Sequence, residues 1–445
     1  MTNQEPQVRV GILSAPSLRF TLTGLFTSAD GELVSGTHEA RISESGIAFT
    51  IDGQTYTSVE YTPNTYIGDS FELEGVTIGV DFHWQRKENQ RFRGSLRIIV
   101  ENGKLTAINL VNVEDYLVSV ISSEMSSTSS LALLRAHAVI SRSWLLSMMS
   151  RGDKTLPTAD SRPDVRALNP GPSLIRYWDR EDHLNFDVCA DDHCQRYQGI
   201  SRVSTPIAAG AVADTRGEVL TYKGELCDTR FSKCCGGVFE RFETCWDDAP
   251  RPYLTARRDS VDTLDYPDLT QEENARMWIL NMPQAFCNTQ DRHILSQVLN
   301  GYDQETPDFY RWTEELTQEK ITSLLRKRLD RDLGAIKDLT PLTRGTSGRI
   351  RELKITGTEG ELIIGKELMI RRALSDSHLY SSAFVVEAHE RNADGIPARF
   401  TLHGAGWGHG VGLCQIGAAI MGEKGYSYDE ILRHYYIDSE LTRLY

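Results

Sequence analysis

The chain has 445 residues, of which 40% are hydrophobic and 25% are charged, a composition typical of a soluble globular protein. Its length predicts about two or three domains, or one large elaborated domain. The net charge of −14 argues against nucleic acid as a partner, because the phosphates would be repelled.

The N-terminus and the apolar segments bear on the cellular compartment. No apolar run approaches the ~20 residues that a transmembrane helix needs. The first residues, "MTNQEPQVRVGIL", lack the basic and apolar regions of a signal peptide. A chain trimmed of its leader would begin in the same way, so this observation does not decide the compartment.

Residues 8–111 are predicted to form strands. Short β-branched segments such as "VRVGIL" and "RFTLTGLFT" are separated by Gly, Asn and Asp. The sequence "ENGK" from Glu101 to Lys104 predicts a β-hairpin.

A long helix is predicted next, in "SSLALLRAHAVISRSWLLSMMSRGDK". Ser129 or Ser130 would cap its start and Gly152 would end it. Its apolar residues fall on two faces, so we expect the helix to be buried on most sides.

The remainder of the chain is predicted as blocks of one element type. Residues 155–200 are rich in loops, 206–255 and 348–402 in strands, and 268–336 in helices, including "TEELTQEKITSLLRKRLDRDLG"; "SYDEILRHYY" from Ser427 is a short final helix. Such blocks favour an α+β fold over a doubly wound sheet. The predicted parts are a strand-rich region at 8–111, a core with the buried helix at 112–264, a helical insertion at 265–340 and a C-terminal β part at 341–445.

Two residues near the buried helix are candidates for chemistry. Glu124 lies in "VISSEM" between apolar segments, where a partly desolvated carboxyl group suits general acid catalysis; the alternative is a helix-capping glutamate. Arg142 lies on the mostly apolar helix and needs a partner, which a carboxylate or sugar oxygens would provide. His137, on the same helix, is more typical of a core histidine than of a ligand.

The cysteines are unevenly spread, with six of the eight between Cys189 and Cys245. His183, Cys189 and Cys194 form a His-x5-Cys-x4-Cys pattern, with His193 beside the last cysteine. Two thiolates and an imidazole suit zinc and leave a fourth position for water or another side chain. The alternative is a disulfide between Cys189 and Cys194, or two free thiols.

Two further segments belong to the candidate site. Ser232 and Lys233 precede vicinal cysteines and a Gly-Gly turn, which predicts a strand end facing a cleft. "HGAGWGHGVGLCQIGAAI", from His403 to Ile420, contains six glycines. Such a run predicts backbone in unusual dihedrals or close to another group; the alternative is a simple turn between a strand and the last helix.

Five segments occur in a fixed order along the chain: "VNVEDYLVSVISSEM", "LRAHAVISRSW", "TRGEVLTYKGELCDTRFSKCCGG", "TSGRIRELKITGTEGELIIGKELMIRRAL" and "GWGHGVGLCQIGA". Through these segments the chain resembles the family of stage II sporulation protein D and the LytB amidase enhancers. The resemblance covers nearly the whole chain, and residues 265–340 match least.

The resemblance implies a peptidoglycan lytic transglycosylase that cleaves glycan strands lacking stem peptides. It implies Glu124 as the catalytic acid and base, zinc at His183, Cys189 and Cys194, and an extracytoplasmic location at the cell envelope. The substrate-binding residues that it implies, around one glycan cleft, are Arg142, Ser232, Lys233, Trp407, His409 and Gln415. The chain departs from the family pattern at His137, where Gln is common, and at Cys414, where Ser is common.

Three mechanisms remain open on the residues alone. A lytic transglycosylase needs one carboxyl group, so Glu114 and Asp115 are interpreted as part of a structural "EDYL" turn, although either could supply a second carboxylate. A non-catalytic glycan-binding enhancer of a cell-wall amidase would keep the cleft but need no ionisable glutamate. A zinc hydrolase ranks last, because two thiolates weaken the Lewis acidity of the metal.

Overall fold

The fold is given by a computed structural model, which describes residues 4–79, 85–126, 128–150, 173–175, 183–191, 194–201, 206–298 and 307–445. The chain divides into two compact units. The described residues of Met1–Lys154, Asp182–Thr221 and Leu441–Tyr445 form the first unit, and those of Thr155–Glu181 and Tyr222–Glu440 form the second. Predicted features at Gly152, at His193 and in most of 155–200 lie outside the described residues.

The first unit begins with ten consecutive strands and two helices. The strands are β1 (Gln7–Ala15), β2 (Ser17–Ser28), β3 (Leu33–Ile42), β4 (Phe49–Ile51), β5 (Gln54–Tyr56), β6 (Ser58–Pro63), β7 (Ser70–Ile78), β8 (Arg86–Phe92), β9 (Ser95–Glu101) and β10 (Lys104–Asn112). The helices are α1 (Val113–Glu124) and α2 (Leu131–Met149).

The later elements are mostly short. The strands are β11 (Ser173–Ile175), β12 (Val188–Cys189), β13 (Glu218–Tyr222), β14 (Glu225–Leu226), β15 (Phe231–Ser232), β16 (Val238–Phe239), β17 (Arg257–Arg258), β18 (Arg311–Thr317), β19 (Ile336–Arg344), β20 (Ile350–Gly357), β21 (Glu361–Gly365), β22 (Phe384–His389), β23 (Arg399–Ala405), β24 (Leu413–Cys414) and β25 (Glu440–Arg443). The helices are α3 (Pro206–Asp214), α4 (Phe242–Cys245), α5 (Glu272–Asn281), α6 (Arg292–Val298), α7 (Gln318–Leu329), α8 (Glu367–Ala373), α9 (Gln415–Glu423) and α10 (Tyr428–Tyr435).

One large sheet dominates the first unit. Its order is β12-β1-β10-β9-β6-β2-β3-β4-β5, with β7 paired to β2 and β8. The strands predicted over 8–111 are therefore confirmed, and so is the hairpin, where Asn102 and Gly103 adopt φ of 51° and 70° between β9 and β10. An Asn-Gly pair tolerates these angles at little cost, which sets the register of the hairpin.

Helices α1, α2 and α3 pack together in the first unit. Ser130 caps α2 by accepting a hydrogen bond from the Leu133 N–H at 3.3 Å, and fifteen of the nineteen residues of α2 are buried, as predicted. The prediction of strand at 206–214 is wrong. The alanine-rich sequence "PIAAGAVAD" forms α3, because alanine has the highest helix propensity, and this helix packs against α2.

The second unit contains two antiparallel arrangements around one apolar core. In the first, β19, β20 and β21 are antiparallel, and β11 adds in parallel to β21; in the second, β18, β23 and β22 are antiparallel. The core lies between these sheets and α7 and α8. The boundary predicted between residues 340 and 341 falls inside β19.

One helix prediction and one strand prediction in the second unit need correction, and a second helix prediction is confirmed. The segment predicted as one helix from Thr313 starts as β18, and α7 begins only where Thr317 accepts a hydrogen bond from the Lys320 N–H at 3.2 Å. The segment 348–402, predicted as strands, contains helix α8, whose sequence "ELMIRRA" is rich in strong helix formers. The final helix α10 is confirmed, with Ser427 and Glu430 forming a capping box.

The α+β class is confirmed by these elements. Within the parts of the chain that the structure describes, no helix has the length and hydropathy needed to cross a membrane.

Candidate active site and metal loop

A buried ion pair fixes α1 against α2. The Arg142 guanidinium is fully buried and donates from Nε and Nη2 to the two Glu114 carboxylate oxygens at 2.9 and 2.7 Å. It also donates to the carbonyl of Glu218 at 3.0 Å, and the Tyr445 hydroxyl donates to Glu114 at 2.6 Å. Of the two partners considered for Arg142, the structure supplies the carboxylate. The "EDYL" segment, interpreted as a structural turn, forms the first turn of α1.

Glu124 is the last residue of α1. The chain leaves the helix at Met125, whose backbone is extended and whose N–H donates to the carbonyl of Ile121 at 2.9 Å. The Glu124 side chain is half-buried. Among the described residues, its carboxyl group accepts no hydrogen bond and forms no ion pair. Within the described part of the chain, Glu124 is therefore held by the backbone of α1 and not by side-chain partners.

The predicted metal ligands come together in one loop of the first unit. One ligand atom each from His183, Cys189 and Cys194 lies within 4.8 Å of the other two. His183 Nε2 is 3.5 Å from Cys194 Sγ, and the Cys189 backbone N–H donates to Cys194 Sγ at 3.4 Å. Cys189 is placed by β12, which pairs in parallel with β1. All three residues are half-buried.

The same loop, whose described residues are 183–191 and 194–198, packs on α1 and α2 and is called the metal loop. The Gln198 backbone N–H donates to Ser119 Oγ on α1 at 3.1 Å, and Gln195 Nε2 donates to the carbonyl of Ser141 on α2 at 3.4 Å. Burial raises the pKa of the Tyr116 hydroxyl, and the charges of Cys194, Cys189, Tyr197 and Glu124 raise it further. The two cysteines of the metal loop and Glu124 thus all influence the pKa of the same buried tyrosine of α1.

In the second unit, the glycine-rich run forms a tight connection from β23 to α9. Four of its glycines have positive φ, namely Gly406, Gly408, Gly410 and Gly412. A Cβ atom at position 410 would overlap the Arg349 guanidinium, and one at position 412 would overlap the carbonyl oxygen of Arg230. The prediction of unusual dihedrals and close approach is confirmed.

Trp407 lies in this run on an aromatic cluster. Its ring centroid is 4.7 Å from that of Phe309 and 4.6 Å from that of Tyr380. Its backbone pairs with Cys234 through two hydrogen bonds of 2.8 and 3.1 Å. The side chain is half-buried, so part of the indole surface is accessible.

His409 is bound within its own loop. Nδ1 accepts a hydrogen bond from the Val411 N–H at 3.0 Å, which places the proton of the neutral ring on Nε2, and the ring packs edge-on against Trp246. Burial holds the pKa of His409 well below its usual range, and the charges of Arg230 and Arg349 act in the same direction. The ring is therefore neutral at pH 7, and this geometry fits a residue that fixes the loop.

The remaining predicted residues of the second unit lie around β15 and the start of α9. Ser232 ends β15 as predicted and is buried, while Lys233 donates from Nζ to the carbonyl of Val298 at 2.7 Å. Gln415 begins α9 and is 2% exposed, so it lies in a packing position. Glu124, Arg142 and the metal loop belong to the first unit and these residues to the second. The single glycan cleft stays a prediction.

Sequence reasoning missed the buried network that holds the glycine-rich run. Glu240 accepts hydrogen bonds from the backbone and hydroxyl groups of Thr346 and Ser347 at 2.7 to 3.0 Å. Arg349 donates to Ser347 Oγ at 2.9 Å and to the carbonyl of Gly408 at 3.0 Å. The only sequence signal for it was "TSGR" within one of the family segments.

Comparison with known proteins identifies two segments. The family of stage II sporulation proteins matches residues 101–222, which include α1, α2, the metal loop and β13. A family described as a domain of unknown function (DUF8618) matches residues 240–412, which include β18 to β23 and most of the glycine-rich run.

Three relatives extend over more of the chain. It is 27% identical over 244 residues to the amidase enhancer of Bacillus subtilis, covering 52% of this chain and 32% of that protein. It is 22% identical over 338 residues to stage II sporulation protein D of B. subtilis, covering 76% of each. It is 24% identical over 368 residues to an uncharacterised protein of Brachyspira hyodysenteriae, covering 83% of this chain and 73% of that protein.

The match spans about a third of the amidase enhancer and about three quarters of the other two relatives. Residues 101–222 thus form a domain of the stage II sporulation protein family, and the chain is similar beyond that domain to stage II sporulation protein D and to an amidase enhancer.

Proposed function

We propose that this chain is a peptidoglycan lytic transglycosylase in which Glu124 is the single general acid and base. Family membership supports a role at the bacterial cell wall. The observation that carries the finer proposal is Glu124 itself, a half-buried carboxyl group without a side-chain partner among the described residues, at the end of a helix inside the family segment. Such a group is available to give and take a proton.

The proposed reaction uses one carboxyl group twice. Glu124 gives its proton to the glycosidic oxygen between N-acetylmuramic acid and N-acetylglucosamine, and the bond from C1 to that oxygen breaks. The muramoyl C6 hydroxyl attacks C1 and loses its proton to the Glu124 carboxylate. A 1,6-anhydro end forms and no water is consumed. Ordinary glycosidases need two carboxyl groups for hydrolysis, so a single one suits this chemistry.

The support for Glu124 comes from the frame around it. A general acid contributes about 10²–10⁴-fold only if its position is fixed. The buried pair of Glu114 and Arg142 fixes α1 against α2, and the metal loop packs on the other side chains of α1. Arg142 is therefore assigned a positioning role in place of contact with the sugar.

Recognition of the glycan is assigned to the second unit. The accessible face of Trp407 on its aromatic cluster suits a pyranose ring, because aromatic faces stack on sugars. A few polar groups nearby would then fix the orientation of the sugar. Lys233 is half-buried near the end of β15 and is a candidate for the polar contacts. We place the reaction outside the cytoplasm, where peptidoglycan lies.

Zinc is proposed as a structural ion of the first unit, held by His183, Cys189 and Cys194. Two sulfurs and one imidazole nitrogen within 4.8 Å of one another fit the donor set and size of a zinc site. The Cys189 N–H bond to Cys194 Sγ further stabilises a thiolate. The ion would order the loop that packs on α1. Metal analysis of the Cys189→Ser/Cys194→Ser variant should show the loss of about one ion per chain.

The product assay tests the proposed reaction. The purified chain is incubated with denuded glycan strands and with strands that carry stem peptides, and the fragments are analysed by mass spectrometry for 1,6-anhydromuramoyl ends. We expect such ends, mainly from denuded strands. Reducing ends formed with uptake of water would instead indicate hydrolysis and would contradict the single-carboxyl mechanism.

A second candidate function rests on the similarity to the protein named amidase enhancer. In that case the chain binds glycan and raises the activity of a cell-wall amidase without cleaving the strand. The two functions are separated by adding an amidase: an enhancer increases release of stem peptides while anhydromuramoyl ends stay at background.

A further inference from the structure

A second set of metal-ligating side chains lies in the second unit and has no part in the proposed reaction. Cys235, Asp259, Cys287 and Cys414 each offer one atom, and these four atoms lie within 4.8 Å of one another. The four residues are 0–2% exposed. They come from separate segments: the turn after β15, the residue after β17, the loop between α5 and α6, and the end of β24. The fold therefore gathers four donors that are far apart in the sequence.

The distances suit one tetrahedral ion. Cys235 Sγ lies 3.5 Å from Cys287 Sγ and 3.4 Å from Asp259 Oδ2. Bonds of 2.3 Å to sulfur and about 2.0–2.2 Å to oxygen in a zinc tetrahedron place two sulfurs about 3.8 Å apart and a sulfur and an oxygen about 3.5 Å apart. The observed separations are close to these values, and a multi-iron cluster would hold its ligands farther apart.

The carboxylate is oriented as a metal ligand would be. The Tyr435 hydroxyl donates to Asp259 Oδ1 at 2.8 Å, and His434 Nε2 lies 3.3 Å from the same oxygen. Oδ2 faces the cysteines and accepts the Cys287 backbone N–H at 3.3 Å. Outer partners that fix one oxygen and leave the other toward the ligand set are typical of carboxylates bound to metals.

The charge of this pocket also calls for a cation. Among the described residues, Asp259 pairs with no Lys or Arg and only with the His434 imidazole, which carries a charge only when it is protonated, whereas a buried carboxylate needs pairing or a metal. The Arg349 guanidinium donates to the carbonyl of Cys235 at 3.1 Å. It is thus engaged with the backbone and not with the carboxylate.

A backbone hydrogen bond to the Cys414 sulfur would stabilise its thiolate form. The Cys235 backbone N–H donates to this sulfur at 3.2 Å. Position 417 is glycine, and a Cβ there would collide with Asp259 and with the Tyr435 hydroxyl. Helix α9 can approach the cluster only because this side chain is missing.

We propose that Cys235, Asp259, Cys287 and Cys414 bind one zinc ion as a closed, structural site. Three thiolates and a carboxylate complete a tetrahedron, and full burial leaves no position for substrate or activated water. The ion would tie the glycine-rich run to the turn after β15, because Cys414 lies within the run and Cys234, beside Cys235, pairs with Trp407.

Metal counting in four chains tests this site separately from the metal loop of the first unit. The chains are the wild type, Cys189→Ser/Cys194→Ser, Asp259→Asn/Cys287→Ser and the combination, purified without chelator and measured by inductively coupled plasma mass spectrometry. We expect about two, one, one and no zinc ions per chain. Cys227→Ser is the matched control, a buried cysteine of the same unit outside the cluster, and should leave the count unchanged.

The Cys189→Ser/Cys194→Ser chain decides the outcome even if the Asp259 variant does not fold. One zinc ion retained in that chain supports the new site, whether or not the first-unit loop proves to bind metal. No metal in that chain overturns it. Alkylation under denaturing, non-reducing conditions with chelator should modify all cysteines, and protection of Cys235 and Cys287 as a disulfide would also overturn the proposal.

Discussion

The buried pair of Glu114 and Arg142 gives a prediction that separates a positioning role from a substrate-binding role. The Arg142 side chain is 0% exposed and that of Glu114 is 12% exposed. Glu114→Gln leaves the guanidinium buried without a countercharge. Arg142→Met leaves Glu114 with the Tyr445 hydroxyl, the Gly217 N–H and some water.

The expected cost follows from this difference. Removing one partner of a buried ion pair costs about 3–5 kcal/mol in the free energy of unfolding. Because Glu114 keeps other donors, we expect Arg142→Met near the lower end and Glu114→Gln near the upper end. The double variant should cost less than the sum, with a coupling energy of about 1–3 kcal/mol.

Urea unfolding, followed by circular dichroism, measures the free energy of unfolding of the wild type, Glu114→Gln, Arg142→Met and the double variant. Arg135→Met is the control on the same helix, because Arg135 forms a more exposed pair with Asp214 that is worth at most about 1 kcal/mol. If Arg142→Met unfolds like the wild type and only glycan binding weakens, the assignment of Arg142 to positioning is refuted.

Three further predictions concern the glycine-rich run. Trp407→Ala should weaken glycan binding with little change in turnover, and Trp407→Phe should restore part of it, because stacking acts in the ground and transition states alike. The pKa of His409 is well below 6.5 in the folded chain, so the unfolded chain binds a proton at a higher pH than the folded chain does. The melting temperature of the wild type should therefore fall between about pH 7 and 5 more steeply than that of His409→Gln. Gly412→Ala should lower the melting temperature more than Gly425→Ala, since both have positive φ but only position 412 is obstructed, by Arg230.

Local chemistry made part of this structure predictable. The Asn102–Gly103 turn, the cap of α2 at Ser129 or Ser130 and the helix that starts at Ser427 each depend on neighbouring residues, and the sequence predicts all three. The start of α7 was placed too early, because the polar residues before Thr317 fit both an exposed strand and a helix and pairing with β23 decides between them.

Contacts distant in sequence were not predictable in the same way. Arg142 has an obvious need for a partner, but nothing local selects Glu114, which is 28 residues away. Cys414 is 179 residues from Cys235, and Asp259 belongs to no motif. Only the folded chain brings these groups together. The sequence predicts His183, Cys189 and Cys194 as metal ligands because these three candidates lie within twelve residues of the chain.

The central claim is that Glu124 transfers the proton in glycan cleavage. Its direct test compares Glu124→Gln with Glu60→Gln, a change at another half-buried glutamate of the first unit that has no side-chain partner among the described residues. The measurement is the rate at which anhydromuramoyl ends form from denuded strands. We expect Glu60→Gln to match the wild type and Glu124→Gln to fall by about 10²-fold or more at unchanged melting temperature. If Glu124→Gln kept more than a few per cent of the wild-type rate, Glu124 could not be the group that transfers the proton.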